Sequence, residues 1–102
     1  MDKELTRKEL TKLGFNYNSK GFIYWVELLT NEDIKLVIKM NKDCVTAIYG
    51  YIADLYNTTA SSVERDMRYC LNPAKDNLKK KYNWAGKIST RTFIYLKLMG
   101  VK

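Results

Sequence analysis

Twenty residues, from Tyr49 to Arg68, carry the spacing of a helix-turn-helix, and this pattern constrains the fold more than any other part of the chain. The fifth residue, Ala53, is small enough to let two helices approach closely, and the ninth, Asn57, tolerates the left-handed backbone of a tight corner. The fifteenth, Val63, offers a branched apolar side chain that would hold the second helix against the first. We therefore predict two helices joined by a short corner.

Apolar residues on both sides of this corner repeat at helical spacing and set the extent of the motif at about residues 45–71. The second helix follows Thr59, a suitable N-cap, and one of its faces is apolar: Ala60, Val63, Met67, Cys70 and Leu71. The opposite face carries side chains that can donate to phosphates and base edges: Ser61, Ser62, Arg65, Arg68 and Tyr69. An ordinary solvated helix face is the alternative interpretation, and the preceding corner favours DNA contact.

The amino-terminal half is also predicted to be helical. Asp2 can cap a first helix and Gly14 can end it, with Leu5, Leu10 and Leu13 as the apolar residues. The aromatic-rich stretch 22–29 is interpreted as a buried helix, because the chain offers no partner strands, and its rings as core rather than a base-stacking platform. Residues 31–40 form a further helix or a continuation, with Asn31 as a candidate cap.

The carboxy-terminal part contains the only proline of the chain, Pro73. We expect the preceding helix to stop at Asn72, which then caps the next helix, because proline disfavours helical geometry in the residue before it. That next helix covers about residues 74–82 and its segment ends at Gly86, and a last amphipathic helix follows over about residues 90–99. These elements predict an all-α fold of about six helices with a central helix-turn-helix.

The net charge of +7 is concentrated in the second half of the chain. Residues 1–51 contain 8 basic and 7 acidic side chains, for a net +1, and residues 52–102 contain 10 basic and 4 acidic, for a net +6. A basic half that includes the second helix of the motif points to a polyanionic partner, because lysine and arginine contacts to phosphates release condensed counterions. The run Lys79 to Lys81 also fits a solvated helix face.

Composition excludes several classes of function. The chain has no histidine and two cysteines, so we expect no metal, no cofactor and no catalytic site. Cys70 lies on the apolar face and is interpreted as a small core residue. The longest purely apolar run, Phe22 to Val26, is too short to cross a bilayer, and the amino terminus lacks the apolar core of a signal peptide. We expect a cytoplasmic protein with a single domain over residues 1–102 and no small-molecule substrate.

Three segments resemble one known family. The sequence Tyr56 to Arg65, together with Arg68, looks like the carboxy-terminal DNA-binding domain of the sporulation master response regulator of Bacillus and Clostridium. Residues 21–24 resemble that family's Gly-Tyr-Leu-Tyr segment, and residues 92–94 resemble the start of its final helix. The resemblance implies an all-helical domain of about six helices that binds a short asymmetric DNA box, often as tandem copies.

The resemblance also implies roles for individual residues. Glu64 and Arg65 match positions implicated in base reading, whereas Ser61 and Arg68 match positions that contact or support the DNA backbone. The helical wheel places Glu64 near the edge of the buried face, so its role rests on the resemblance alone. Two positions depart from the family: Ser62 stands where an arginine is usual, and Tyr69 stands where the family has a histidine. Loss of a bidentate arginine removes about 1 to 3 kcal/mol of base discrimination, so an altered target box is expected.

Two functions follow as hypotheses. The first is a non-enzymatic, sequence-specific regulator of transcription without a receiver domain, whose partner is double-stranded DNA and which can form a homodimer on tandem sites. Its base-reading residues are predicted to be Ser62, Glu64 and Arg65, and its backbone contacts Thr59, Ser61, Arg68, Tyr69, Lys75, Lys79 and Lys80. The second is a helical protein-interaction module, or a decoy, that modulates related regulators.

Overall fold

Seven α-helices form the protein in the computed structural model, which describes residues 3–40 and 45–98. In chain order they are α1 Lys3–Leu13, α2 Lys20–Thr30, α3 Glu32–Met40, α4 Val45–Leu55, α5 Ala60–Leu71, α6 Lys75–Tyr82 and α7 Thr90–Leu98. The predicted all-α fold with a central helix-turn-helix is confirmed. Each of these described helices is too short or too polar to span a membrane. The predicted cap Asp2 and the predicted end of the last helix at about residue 99 lie outside the described residues.

The first helix ends where it was predicted to end, but its buried face differs from the prediction. Gly14 takes a φ of +100° directly after α1, a conformation that glycine adopts without steric cost. Leu10 is fully buried, whereas Leu5 is 61% exposed and Thr6 is buried instead. Thr6 lies four residues before Leu10 and shares its face, while Leu5 is displaced by about 140° around the helix. Helix α2 therefore packs against the row of α1 that contains Thr6 and Leu10, although Thr6 is polar.

The second helix is the centre of the core, as the buried-helix interpretation predicted. Trp25 is fully buried, and its indole Nε1 donates a hydrogen bond of 2.9 Å to the carbonyl oxygen of Met67 in α5. Its ring also packs edge-on against those of Phe15 and Phe93, with centroid separations of 5.7 and 5.2 Å. Burying an indole requires a partner for its N–H, and α5 provides it. The aromatics of α2 thus position α5 rather than forming a base-stacking platform.

A short break separates α2 from α3. The side chain of Asn31 accepts a hydrogen bond of 3.1 Å from the backbone N–H of Ile34, which confirms Asn31 as a cap. Ile34 and Ile38 face the core, whereas Val37, which lies between them in the sequence, is 44% exposed. Helix α3 packs mainly against α2, and its buried residues are these two isoleucines, four positions apart on one face.

The segment around Pro73 differs from the prediction. Asn72 is not an N-cap: its backbone is helical, with φ −49° and ψ −47°, and its N–H donates to the carbonyl oxygen of Arg68. A 3-10 turn, Asn72–Ala74, then leads directly into α6. Pro73 is the second residue of this turn, where its missing N–H costs no helical hydrogen bond, and the buried Ala74 holds the turn against the core. Helix α6 ends at Tyr82, as predicted, and Asn83 follows it with a φ of +50°.

Candidate nucleic-acid interface

The corner between α4 and α5 has the geometry that the sequence predicted. Asn57 takes a φ of +56°, in the left-handed region, and the next residue, Thr58, donates its N–H to the carbonyl oxygen of Ala53 at 2.9 Å. Thr59 then caps α5, because its Oγ1 accepts a hydrogen bond of 3.1 Å from the N–H of Ser62. The corner therefore fixes the direction in which α5 leaves α4.

One side of α5 is locked into the core by α2 and α4, its two most extensive partners. Val63, Met67, Cys70 and Leu71 are fully buried, as predicted. On the α2 side, Gly21 lies so close to α5 that a Cβ atom there would overlap the carbonyl oxygen of Asp66. Burial raises the pKa of the Cys70 thiol, which fits a core residue and not a reactive one. The buried side thus holds α5 without contributing to a contact surface.

The opposite side of α5 is the polar face that the sequence predicted. Ser61, Arg65, Arg68 and Tyr69 are exposed along it. Ser62 is partly buried, and its Oγ accepts a hydrogen bond of 2.9 Å from Thr59 Oγ1, so it takes part in the helix cap. The hydroxyl proton of Ser62 stays free to donate, which a DNA base or phosphate could accept.

Two ion pairs constrain the charged side chains of this face. Arg68 Nε lies 3.3 Å from Glu64 Oε2, and the Arg68 guanidinium also lies 5.3 Å from the centre of the Tyr69 ring. Arg65 has only a longer contact, of 3.7 Å between its Nε and Asp66 Oδ1, and its side chain is 53% exposed. A side chain with weaker partners is freer to reach a base. Arg65 is therefore the charged residue of this face best placed to do so, and Glu64 would first have to leave Arg68.

The three lysines predicted to contact the DNA backbone occupy different positions. Lys75 lies at the start of α6. Together with Glu64 and Arg68 it lines a cleft beside α5. Lys79 follows one turn later on the same side of α6, by helical geometry. Lys80 is exposed, but about 100° further around the helix, away from that side. The structure thus brings Lys75 to α5, and Lys80 remains a more distant charge.

The cleft beside α5 also contains residues that sequence reasoning did not include in the site. Tyr49 of α4 lines it, together with Ser89, Thr90 and Arg91 at the start of α7. Burial, reinforced by the negative charge of Glu64 and partly opposed by Arg91, raises the pKa of Tyr49 to about 12, so its hydroxyl stays protonated. Ser89 could have been identified from the sequence as an N-cap, but its position beside α5 depends on the tertiary fold.

A hydrogen-bonded cluster supports the corner from the α2 side. Tyr56 donates its hydroxyl hydrogen to Glu27 Oε1 at 3.0 Å, and Asn31 donates its side-chain N–H to Glu27 Oε2 at 2.9 Å. Lys3 lies 3.7 Å from the same carboxylate. Burial alone would raise the pKa of Glu27, but the hydrogen bonds from Asn31 and Tyr56 and the charge of Lys3 outweigh it and lower the pKa. The ionised carboxylate therefore ties the end of α4 to α2.

This cluster predicts a pH-dependent contribution to stability. Because folding lowers the pKa of Glu27, its contribution is present above the unfolded value of about 4.5 and is lost as the pH falls through the folded value. Glu27→Gln should reduce the free energy of unfolding by about 1.5 to 3 kcal/mol at pH 7, the range for hydrogen bonds to a charged group. In urea titrations the difference from wild type should shrink as the pH falls below the unfolded value and through the lowered folded value. Asp54→Asn, at an exposed position near the corner, is the control, and an equal effect from it would contradict the role of Glu27.

Comparison with known protein families gives a match over most of the chain. Residues 6–88 match the family described as the C-terminal domain of the sporulation initiation factor Spo0A. No curated protein matches the chain. The matched range covers most of α1, all of α2 to α6 and the whole helix-turn-helix, and it ends directly before Ser89. The resemblance drawn from the central segment of the sequence is thereby confirmed.

Proposed function

The chain belongs to the family of Spo0A C-terminal domains, the DNA-binding effector domain of sporulation regulators, and from this membership we propose that it is a sequence-specific regulator of transcription. It binds double-stranded DNA by placing α5 in the major groove. The observation that carries the proposal is the position of Arg65, exposed at the middle of a polar helix face whose other side is fixed by the core. A recognition helix needs this combination of a rigid back and polar, extended side chains.

The proposed DNA-contacting residues divide into two roles. Ser62, Glu64 and Arg65 read base edges, with Arg65 as the main reader because a guanidinium can bind guanine through two hydrogen bonds. Positioning on the backbone comes from phosphate contacts, made by Thr59, Ser61, Arg68, Tyr69, Lys75, Lys79 and Lys80. Because Ser62 stands at a position where the family usually has arginine, this chain prefers a box that differs from the usual one at that base pair.

The setting of the proposed function is the cytoplasm, where the protein acts without a small-molecule substrate or catalysis. Tandem copies of the box would bring two protomers side by side, so a homodimer forms on DNA. A short asymmetric site contacted by one helix gives limited specificity, and two adjacent sites multiply it through the effective concentration of the second protomer.

A second candidate function rests on an apolar surface between α3 and α4. Val37 and Tyr51 are exposed there and line a groove of about 190 Å³, and Leu36 and Met40 of α3 are exposed as well. Exposed apolar side chains that share one surface are typical of protein-interaction sites. A helical interaction module that modulates related regulators would use this surface rather than α5.

Salt dependence separates the two functions. We expect fluorescence anisotropy to show that the protein binds a duplex with the family's box more tightly than a scrambled duplex, and that affinity falls steeply between 50 and 200 mM salt. Each phosphate neutralised contributes about 0.9 to the slope of log affinity against log salt, so five contacts give a loss of roughly 500-fold over that fourfold range. Absence of binding even at low salt would reject DNA binding, and the apolar surface would then become the better explanation.

A further inference from the structure

The cleft beside α5 has the composition of an anion site. It has a volume of about 320 Å³ and lies between the carboxy-terminal half of α5 and the first turn of α7. That volume holds about ten water molecules at ~30 Å³ each, so a hydrated anion fits. Three cationic side chains, Arg68, Lys75 and Arg91, line it against one carboxylate, Glu64. The lining therefore carries two more positive than negative charges.

The first turn of α7 adds backbone donors to this cleft. Ser89 precedes the helix as its cap: its carbonyl oxygen accepts from the N–H of Phe93 at 3.0 Å, and its Oγ accepts from the N–H of Thr92 at 3.1 Å. The first amides of a helix have no carbonyl partner within the helix. With the amide of Thr92 used by Ser89, those of Thr90 and Arg91 are left for a ligand. The partial positive charge at a helix N-terminus favours an anion there.

An independent observation points to a missing ligand at the same place. Thr90 lines the cleft and is only 6% exposed, yet its Oγ1 has no hydrogen-bond partner among the described residues. A buried hydroxyl without a partner is costly, and such groups are rare in folded proteins. This oxygen is shielded from solvent in the conformation described, and a rotation of the Thr90 side chain would let an anion in the cleft accept the hydrogen of its hydroxyl. The anion would also accept from Tyr49, whose hydroxyl stays protonated because burial raises its pKa.

From these observations we propose that the cleft formed by Arg68, Lys75 and the first turn of α7 binds one phosphate of the DNA backbone. This inference rests on the proposed function and adds Thr90 and Arg91, which lie beyond the residues matched by the family, to the DNA-contacting surface. Arg68 belongs both to the polar face of α5 and to the cleft, so one DNA strand can pass from one to the other. On binding, the phosphate replaces Glu64 as the partner of the Arg68 guanidinium.

The first test removes the charge of Arg91 and compares it with an equal change elsewhere. Arg91→Gln should weaken binding to the box and to the scrambled duplex by a similar factor of 3 to 10, and should lower the salt slope by about 0.9. The control is Lys39→Gln, because Lys39 lies with Lys97 near the opposite end of α7. Equal losses of DNA affinity from both variants would overturn the proposed site, since they would show that affinity depends only on the total charge of the protein.

The second test uses Thr90→Val, which removes the hydroxyl and keeps the shape of the side chain. We expect this variant to unfold at a higher temperature than wild type, because the unpartnered hydroxyl is gone, and to bind both duplexes two- to fivefold more weakly. Higher stability with unchanged DNA affinity would overturn the proposed contact. A purely structural role for Thr90 would change stability alone.

A third measurement distinguishes a site for a DNA phosphate from a site for free phosphate. Inorganic phosphate is titrated into the protein while the amide signals of Thr90 and Arg91 are followed by NMR. If phosphate shifts these signals but Arg91→Gln leaves DNA affinity unchanged, the cleft is a site for free phosphate and the DNA proposal is overturned. If wild type binds no duplex at all, the proposed function itself fails. If wild type and Arg91→Gln bind DNA equally well, only the proposal for the cleft fails.

Discussion

Gly21→Ala is expected to destabilise the protein by about 3 kcal/mol or more, which lowers the thermal midpoint by roughly 15 °C. A Cβ at this position would overlap the carbonyl oxygen of Asp66, and it would lie 2.6 Å from the carbonyl carbon and 2.8 Å from Cβ of Cys70. These are atoms of the α5 backbone and of a fully buried side chain, so no flexible group can move aside. Either α2 or α5 has to shift as a whole.

The effect on function should exceed the effect on folding alone. A shift of α5 moves its polar face relative to the corner and to the cleft, so the molecules that still fold should bind DNA more weakly. A displacement of about 1 Å is enough to disturb side chains that must be placed within roughly 0.5 Å. DNA affinity should therefore be measured at a temperature where Gly21→Ala is still folded, as judged by circular dichroism.

The matched control is the other glycine within a helix that can be substituted in the same way. A Cβ at Gly50 of α4 would have no atom within 4 Å. Gly50→Ala should stabilise the protein by about 0.5 to 1 kcal/mol, because alanine is the better helix former. Both variants replace glycine by alanine, but the free energy of unfolding should fall for Gly21→Ala and rise for Gly50→Ala. A loss below 1 kcal/mol for Gly21→Ala would show that the close packing of α2 on α5 is more adaptable than the structure indicates.

Arg65→Ala is expected to remove most of the preference for the cognate box. Loss of one bidentate contact to guanine costs about 1 to 3 kcal/mol, which is a factor of roughly 5 to 150 in discrimination. Affinity for the scrambled duplex should change far less, since there Arg65 contributes only its charge. Stability should stay close to that of wild type, because the side chain is exposed and its contact to Asp66 is 3.7 Å long.

Lys80→Ala is the comparison for this prediction. Lys80 is exposed on α6, and its proposed role is a contact to the DNA backbone. Its removal should weaken binding to all duplexes to a similar degree and lower the salt slope, without changing the preference for the box. Equal effects of both substitutions on every duplex would contradict the division between base-reading and backbone residues.

Much of the helix-turn-helix was predictable from the sequence because its determinants are local. The left-handed corner at Asn57, the cap at Thr59 and the buried row from Val63 to Leu71 each depend on residues within a few positions of one another. Turn chemistry and helical periodicity act over that distance. The family resemblance was read from the same short segment, and the match over residues 6–88 confirms it.

Other features could not be predicted because they depend on contacts between distant parts of the chain. Periodicity places apolar residues on a helix, but the neighbouring helix decides which row is covered, as the exposed Leu5 and the buried Thr6 show. At Asn72 the local preference against a helical residue before proline gave way to the packing of Leu71 and Ala74 against the core.

The sequence by itself determined the helices, the corner and the polar face of α5, since these follow from the order of neighbouring residues. Only the tertiary structure decided that Gly21 contacts the backbone of α5 and that Thr90 and Arg91 share a cleft with Arg68. The physical reason is that a cleft needs several helices packed at fixed distances. That arrangement results from burial of the whole core around Trp25, which no single segment of the chain encodes.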